Sequence, residues 1–229
     1  MARGVLVAGG TGALGAAVLR ELLDSGYGVT ATWLVDRERE RVEADFGGEE
    51  RLSLVEADLM EPSGAERAVE ATEDLGAVVN LVGGFASGPR VHETEPDEFE
   101  RLLRLNVRPG FLLARAAMPR LIEAGGGAFV GVSARPALRP FRGATAYATA
   151  KAAVLAFVQA LDADYGGDGI RCNAILPSVI DTPANRAAEP DADFSKWVQP
   201  ADIAKVIRFL VSDDSAPTSG AAVPVYGRA

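Results

Sequence analysis

Short apolar runs alternate with longer amphipathic stretches along the whole chain. The apolar runs are four to six residues long, which predicts β-strands at 5–8, 29–33, 52–56, 77–81, 128–133, 171–176 and 222–226. The stretches between them place apolar residues at helical spacing and predict helices at 14–24, 37–46, 64–72, 95–108, 111–124, 146–165 and 200–212. This alternation is typical of right-handed βαβ units.

Most predicted strands are nearly continuous in apolar residues, as expected of parallel strands with both faces covered by helices. No linker or change in composition divides the chain. We therefore predict an α/β fold, a doubly wound parallel sheet of about seven strands with helices on both faces, in one domain spanning 1–229. Ligands of such sheets bind at the carboxyl ends of the strands, near the point where strand order reverses.

A glycine-rich turn follows the first predicted strand. Gly9, Gly10, Gly12 and Gly15 lie in seven residues that lead directly into a helix. Glycines allow a tight turn and close backbone approach, and the helix N-terminus then offers free N–H groups to a pyrophosphate. The turn indicates a dinucleotide site in a Rossmann-type fold, although such turns also occur only to pack a helix on a sheet. A P-loop is excluded because the first lysine of the chain is Lys151.

Tyr147 and Lys151 are four residues apart in an alanine-rich stretch, so they share one face of a predicted helix. A neighbouring ammonium favours the phenolate, so we expect Lys151 to lower the pKa of Tyr147 and make it an acid–base group. The alternative is an ordinary surface pair.

Ser133 ends the strand predicted at 128–133, where its hydroxyl is expected to hold a carbonyl oxygen. The alternatives are a plain strand-end serine or the nucleophile of a hydrolase. The second is disfavoured because Arg135 stands where a nucleophile elbow has its last glycine. The only imidazole, His92, also lies in a polar, acidic neighbourhood.

Composition narrows the possible partners. Asp and Glu number 32 against 23 Lys and Arg, for a net charge of −9, so nucleic acid and anionic membrane surfaces are not expected partners. One cysteine, Cys172, and one histidine exclude a disulfide framework and a Cys/His metal site, and no metal is predicted. The apolar run at 5–8 is too short for a signal peptide, and no stretch is long enough to span a bilayer, so a cytoplasmic protein is expected.

Together these motifs resemble the short-chain dehydrogenase/reductase family over essentially the whole chain. The family's turn is typically Thr-Gly-x-x-x-Gly-x-Gly, and residues 8–15 keep its first and last glycines. Residues 80–83 keep the outer two of the family's Asn-Asn-Ala-Gly. Residues 173–183 resemble the segment over the nicotinamide, with Ser178 replacing a common glycine.

The resemblance implies a catalytic tetrad of Asn106, Ser133, Tyr147 and Lys151, in which Asn106 supports the lysine through a water. It implies that Asp58 meets the adenine. The residues expected to bind the cofactor are Gly9, Thr11, Gly12, Leu14, Gly15, Trp33, Arg37, Asp58, Leu59, Asn80, Val82, Gly83, Tyr147, Lys151, Pro177, Ile180 and Thr182.

A finer resemblance points to one branch, the dihydropteridine reductases, through the glycine-rich turn, residues 82–86 and the stretches 181–186 and 190–197. That branch normally lacks the strand serine and carries an acid at the end of the second strand. This chain has Ser133, and the corresponding place is near Trp33. Pterin reduction is therefore kept as the alternative.

The expected function is NAD(P)-dependent hydride transfer between the nicotinamide and a small carbonyl or alcohol substrate, with Tyr147 as general acid or base. The missing acid at the end of the second strand favours NADP(H) over NAD(H). A nucleotide-binding redox sensor without turnover is the alternative from another class. The family resemblance and the small residues of helices 95–124 and 146–165 indicate a homodimer or homotetramer.

Overall fold

A computed structural model of the protein describes residues 3–228. Its centre is a parallel sheet in the order β3-β2-β1-β4-β5-β6-β7. The strands are β1 (Gly4–Ala8), β2 (Val29–Trp33), β3 (Leu52–Glu56), β4 (Leu75–Asn80), β5 (Gly127–Val132), β6 (Ile170–Pro177) and β7 (Ala222–Val225). The helices are α1 (Ala13–Asp24), α2 (Asp36–Phe46), α3 (Pro62–Glu70), α4 (Pro96–Glu123), α5 (Thr145–Tyr165), α6 (Pro183–Ala188) and α7 (Pro200–Val211).

Two apolar layers cover the sheet. Along β1, Leu6 and Ala8 pack on the side of α3, α4 and α5, whereas Val5 and Val7 pack on the side of α1, α2 and α7. All five residues of β1 are buried, as expected of a central strand whose alternate side chains both enter a core. The predicted fold class is confirmed: a single-domain α/β fold with a seven-stranded parallel sheet. Residues 1, 2 and 229 of the predicted domain lie outside the described residues.

Strand order reverses between β1 and β4. β1 pairs with β2 on one side and with β4 on the other, where Ala8 lies opposite Asn80. The two following connections leave in opposite directions and open a crevice at the carboxyl edge. The glycine-rich turn and the residues after β4 both lie at this edge.

The prediction of two helices at 95–108 and 111–124 is wrong, because α4 runs unbroken through Pro109 and Gly110. A proline inside a helix costs on the order of 3 kcal/mol, so tertiary packing must offset the loss. Both residues are buried, and a Cβ on Gly110 would lie 3.1 Å from Asn80 Nδ2. Gly110 therefore lets the helix pass close to the end of β4.

The sequence did not predict α6. Its N-terminus is set by Thr182, whose Oγ1 accepts a hydrogen bond from the Asn185 N–H at 3.2 Å, and by Pro183 in the first turn. Among residues 3–228, no helix is both long and apolar enough to cross a membrane.

Candidate active site

The glycine-rich turn is built as an open cradle. Gly9 has a φ of +75°, and a Cβ there would lie 3.2 Å from Val82 Cγ2. A Cβ on Gly15 would lie 2.3 Å from Gly10 O, so only glycine lets α1 start directly against the turn. Gly12 is the N-cap residue and no side chain caps the helix, which leaves first-turn N–H groups for a ligand. This arrangement fits a pyrophosphate.

Two side chains of α2 hold this turn in place. The Thr11 hydroxyl donates to Glu38 Oε2 at 3.0 Å, and the Thr11 carbonyl accepts from Arg41 Nη2. The predicted Arg37 is exposed and makes no described contact with the turn. Sequence reasoning missed Glu38 and Arg41, although their i,i+3 spacing places them on one helix face.

The predicted adenine and ribose positions line the carboxyl ends of β2 and β3. Trp33 is half-buried, and the Arg39 guanidinium lies 5.2 Å from its ring centroid. The Asp58 side chain is exposed after β3, where Oδ1 accepts from the Met60 N–H at 2.9 Å, and Leu59 is buried. An exposed carboxylate beside a buried leucine suits an edge-on contact with a base.

Asn106 and Lys151 meet at the segment after β4. Asn106 accepts from Gly84 N at 3.2 Å through Oδ1 and donates to Gly84 O at 3.1 Å through Nδ2. A Cβ on Gly83 would lie 2.6 Å from Asn106 Oδ1 and 3.0 Å from Lys151 Nζ. At the strand end, Asn80 Oδ1 accepts from Val82 N at 3.1 Å. The structure thus brings Asn80, Gly83, Asn106 and Lys151 together.

Tyr147 stands beside this cluster with a free hydroxyl. Its ring packs edge-on against Phe85 at 4.9 Å between centroids, and its hydroxyl makes no hydrogen bond to any residue within 3–228. Lys151 Nζ lies 5.9 Å from the Tyr147 ring centroid and donates to Val132 O at 3.0 Å. The predicted pair therefore occupies one site.

The expected lowering of the Tyr147 pKa is wrong for this arrangement. Burial raises the pKa of Tyr147 to about 12 and lowers the pKa of Lys151 to about 8, because the charged form of each group loses hydration. The phenol is thus kept protonated. The lowered pKa of Lys151 marks it as a perturbed group beside a candidate proton donor.

The Ser133 hydroxyl does not point into the open part of the site. The side chain is 1% exposed, and Oγ donates to the main-chain carbonyl of Lys151 at 2.7 Å. The expected role as a donor to a substrate carbonyl does not fit this geometry, because the Ser133 hydroxyl already donates its proton to a main-chain carbonyl of α5. His92 does not fit a hydrolase either: it is exposed, beside Glu93, and makes no described contact with Ser133.

The segment after β6 folds over the same edge. Pro177 pairs with Val225, Ile180 bridges to Val198, and Thr182 caps α6. Arg186 forms a two-pronged ion pair with Asp181 at 2.5 and 2.7 Å.

This ion pair has two further contacts. Gln199 donates to Asp181 at 2.8 Å, and the Arg186 guanidinium lies 4.7 Å from the Phe194 ring centroid. The hydrogen bonds from Arg186 and then Gln199 lower the pKa of Asp181 to about 2. Sequence reasoning assigned no role to Asp181 or Gln199, which are eighteen residues apart.

Comparison with known proteins identifies the family. The family model described as enoyl-(acyl carrier protein) reductase matches residues 9–227. The chain is 31% identical to 2-(R)-hydroxypropyl-CoM dehydrogenase of Xanthobacter autotrophicus, over 99% of this chain and 98% of that protein. A short-chain type dehydrogenase/reductase from Mycobacterium ulcerans superposes with a TM-score of 0.91 at 25% identity, covering 99% of this chain and 89% of the other.

The chain belongs to the short-chain dehydrogenase/reductase family. The rat (3R)-3-hydroxyacyl-CoA dehydrogenase is 30% identical over 97% of this chain and 94% of that protein. This short-chain dehydrogenase/reductase is therefore an NAD(P)-dependent oxidoreductase that acts on CH–OH or C=O groups, as predicted from the sequence. Three features of the site fit its cofactor: the glycine-rich turn, the N-terminus of α1, which no side chain caps, and the cluster around Lys151.

Proposed function

We propose that the protein transfers hydride between the nicotinamide and the carbon of a small carbonyl or alcohol, with Tyr147 as the proton donor or acceptor. One observation carries this proposal: the Tyr147 hydroxyl is the group at the carboxyl edge that is held by a packed ring, lies beside a buried lysine and has no hydrogen-bond partner in the described chain. A donor with its proton uncommitted is what the oxygen of a reduced carbonyl requires.

The bound cofactor would supply the hydride, and the protein's residues supply position and a proton. First-turn N–H groups of α1 would hold the pyrophosphate, and Asp58 and Leu59 would border the adenine. Lys151, fixed by Val132 O, would hold the nicotinamide ribose beside Tyr147. Asn106 would keep the Gly83–Gly84 backbone in register with Lys151.

NADP(H) is the cofactor we favour over NAD(H). No acid ends β2, where a carboxylate would bind the ribose 2′-hydroxyl. Arg39, which is paired with Glu43, lies over the Trp33 ring, and Arg41 lies at the turn, so two arginines border the place we expect for a 2′-phosphate. A related fold with 23% identity and a TM-score of 0.91, ElxO, has been solved with NADP bound.

The test is a turnover screen of purified full-length protein with NADH and NADPH against small ketones, aldehydes and secondary alcohols. We expect turnover that Tyr147→Phe removes while NAD(P)H fluorescence titrations stay unchanged. Equal turnover by Tyr147→Phe would contradict the acid–base role. Tight nucleotide binding with no turnover on any substrate would favour the redox-sensor alternative.

Reduction of a pterin is the second candidate; it rests on sequence segments alone, and the position of Ser133 removes one objection to it. The family branch that reduces dihydropterins resembles this chain in several segments but normally lacks the strand serine. In this chain the serine is present, but its hydroxyl donates to the Lys151 carbonyl. Its presence therefore no longer argues against that branch, and the missing acid at the end of β2 is the difference that remains. Quinonoid dihydropterin therefore belongs in the substrate screen.

We also propose a homodimer or homotetramer. The outer faces of α4 and α5 carry Phe111, which is 52% exposed, and the half-buried Phe157, whose rings are 6.4 Å apart. Leu161 is only 7% exposed and packs into the core, so it is a poor candidate for a subunit contact. Light scattering that gives a mass of 23.9 kDa at micromolar concentration would contradict assembly.

A further inference from the structure

The end of β5 and the middle of α5 are joined by two reciprocal hydrogen bonds. Ser133 Oγ donates to the Lys151 main-chain carbonyl at 2.7 Å, and Lys151 Nζ donates back to the Val132 carbonyl at 3.0 Å. Ser133 and Lys151 are 1% and 6% exposed. The main chain and the ammonium of one residue are thus tied to two consecutive residues at the end of a strand.

The hydroxyl groups near this edge differ in what they can offer a substrate. Ser133 donates to Lys151 O, and Ser178, after β6, donates to Tyr226 O at 2.7 Å. Thr182 Oγ1 caps α6 and Thr11 donates to Glu38. Ser133, Ser178 and Thr11 already donate their hydroxyl protons within the protein, and Thr182 Oγ1 is held as the acceptor that caps α6, whereas the Tyr147 hydroxyl has no partner in the described residues.

From this geometry we infer that Ser133 is a positioning residue for Lys151, and that Tyr147, rather than Ser133, offers its hydroxyl to the substrate oxygen. The inference rests on the proposed function for its second half only. Its first half concerns a contact within the protein and is testable without substrate.

The Ser133 hydroxyl can reach a substrate only if it gives up its bond to the Lys151 carbonyl. The Lys151 carbonyl lies in the middle of α5 and also accepts the N–H of Leu155 one turn later, so Ser133 is its second donor and the one that ties α5 to β5. One O–H donates one hydrogen bond, so Ser133 would have to give up this tie to bind a substrate. The lysine needs such support because it is an amine on a flexible stem in a site that removes its water, with Tyr147 as its titratable neighbour.

The experiment follows the Lys151 amine directly. The chain contains three lysines, and the other two, Lys196 and Lys205, expose 64% and 62% of their side chains. Full-length protein labelled with ¹³C-lysine is titrated by NMR without cofactor, and the Lys151 signal is assigned by its loss in Lys151→Met. Wild type is compared with Ser133→Ala and with Ser133→Thr, which keeps the hydroxyl.

Ser178→Ala is the matched control, because it removes a serine hydroxyl that also donates to a main-chain carbonyl at 2.7 Å, at the end of the neighbouring strand. Binding of NAD(P)H to each variant is measured by fluorescence in the absence of substrate.

If Ser133 positions Lys151, Ser133→Ala raises the Lys151 pKa towards its ordinary value, because α5 is no longer tied to the end of β5, the bond from Nζ to Val132 O loosens and the amine regains water. It also weakens binary NAD(P)H binding by about 3- to 10-fold, the scale of one lost hydrogen bond. Ser133→Thr and Ser178→Ala leave the Lys151 titration unchanged. Should Ser133→Ala not fold, Ser133→Cys, with a weaker donor of similar size, serves the same comparison.

A direct contact between Ser133 and the substrate would give a different set of results. If Ser133 serves the substrate, Ser133→Ala leaves the Lys151 titration and NAD(P)H binding as in wild type and lowers kcat by about 10²- to 10³-fold, the scale of a lost oxyanion donor. That outcome overturns the inference. Failure of the proposed function shows elsewhere, as full turnover by Tyr147→Phe, and does not affect the lysine titration.

Discussion

The glycine-rich turn and the β5–α5 junction lie at the same edge of the sheet but work by different means. The turn acts through its backbone: what matters at Gly9 and Gly15 is the absence of a side chain. The junction acts through the directions of the Ser133, Tyr147 and Lys151 side chains. A backbone site is specified by residue type and spacing, whereas a side-chain site is specified only once the rotamers and neighbours are known.

The largest effect on cofactor binding is expected from adding a side chain to the glycine-rich turn. Gly15→Val should abolish NAD(P)H binding, because even a Cβ at this position would lie 2.3 Å from Gly10 O. Fluorescence titration measures binding, and circular dichroism checks the fold. Gly28→Ala is the control, since a Cβ there meets nothing within 4 Å. Normal affinity in a folded Gly15→Val protein would show that the turn does not hold the nucleotide.

A change at the β5–α5 junction should have the opposite effect: it should lower the catalytic rate and leave cofactor binding intact. Tyr147→Phe is expected to lower kcat at least about 100-fold with NAD(P)H affinity nearly unchanged, because only a proton-transfer group is removed. Tyr165→Phe, at the other end of α5, is the control and should keep its rate. A Tyr147→Phe enzyme with more than roughly a tenth of wild-type kcat would contradict the assignment.

The free energy of unfolding should depend on pH through the β5–α5 junction, because the junction contains buried titratable groups and the glycine-rich turn does not act through such groups. The pKa of Lys151 is about 8 in the fold and about 10.4 when unfolded, so the unfolded chain binds more protons between these values. Stability should therefore rise from pH 8 towards pH 10, by on the order of 1–2 kcal/mol. Tyr147, with a pKa raised to about 12, then lowers stability above pH 10. Urea unfolding of wild type and Lys151→Met checks this: the rise must be absent from the variant.

The smallest effect is expected at the segment after β6, which lies at the same edge of the sheet. Arg186→Gln removes the ion pair to Asp181 and should raise substrate KM a few-fold while kcat changes little, because the pair holds the segment and neither partner is assigned to the reaction. Since Asp181 has a pKa of about 2, the wild-type contact should persist at pH 4. A large fall in kcat would mean that this segment positions reacting atoms.

Sequence reasoning succeeded where periodicity and spacing carry the information. The strands, the reversal of strand order and the glycine turn follow from apolar runs and residue type. The pairing of Tyr147 with Lys151 follows from helical geometry, and Asn106 was identified by family resemblance.

It failed where tertiary contacts decide. Pro109 and Gly110 suggested a helix break, but burial against β4 and α5 keeps the helix intact. The Ser133 hydroxyl had two possible targets, and only the packing of α5 on β5 selects the Lys151 carbonyl. The expected effect of Lys151 on Tyr147 was outweighed by burial, which a sequence does not show.

Pro109, the first of two prolines inside α4, also has a consequence for local unfolding, because it separates the two halves of the helix, whereas Pro119 lies within the half that contributes most of the core residues. Because Pro109 has no N–H, the carbonyl of Leu105, one turn earlier, receives no hydrogen bond from it. The half before Pro109 contributes Leu102 and Asn106 to the buried set, whereas the half after it contributes most of the core residues. Hydrogen exchange should therefore show two protection levels along one helix. The half that carries Asn106 can open at lower cost, so access to the Lys151 cluster need not require unfolding of the core.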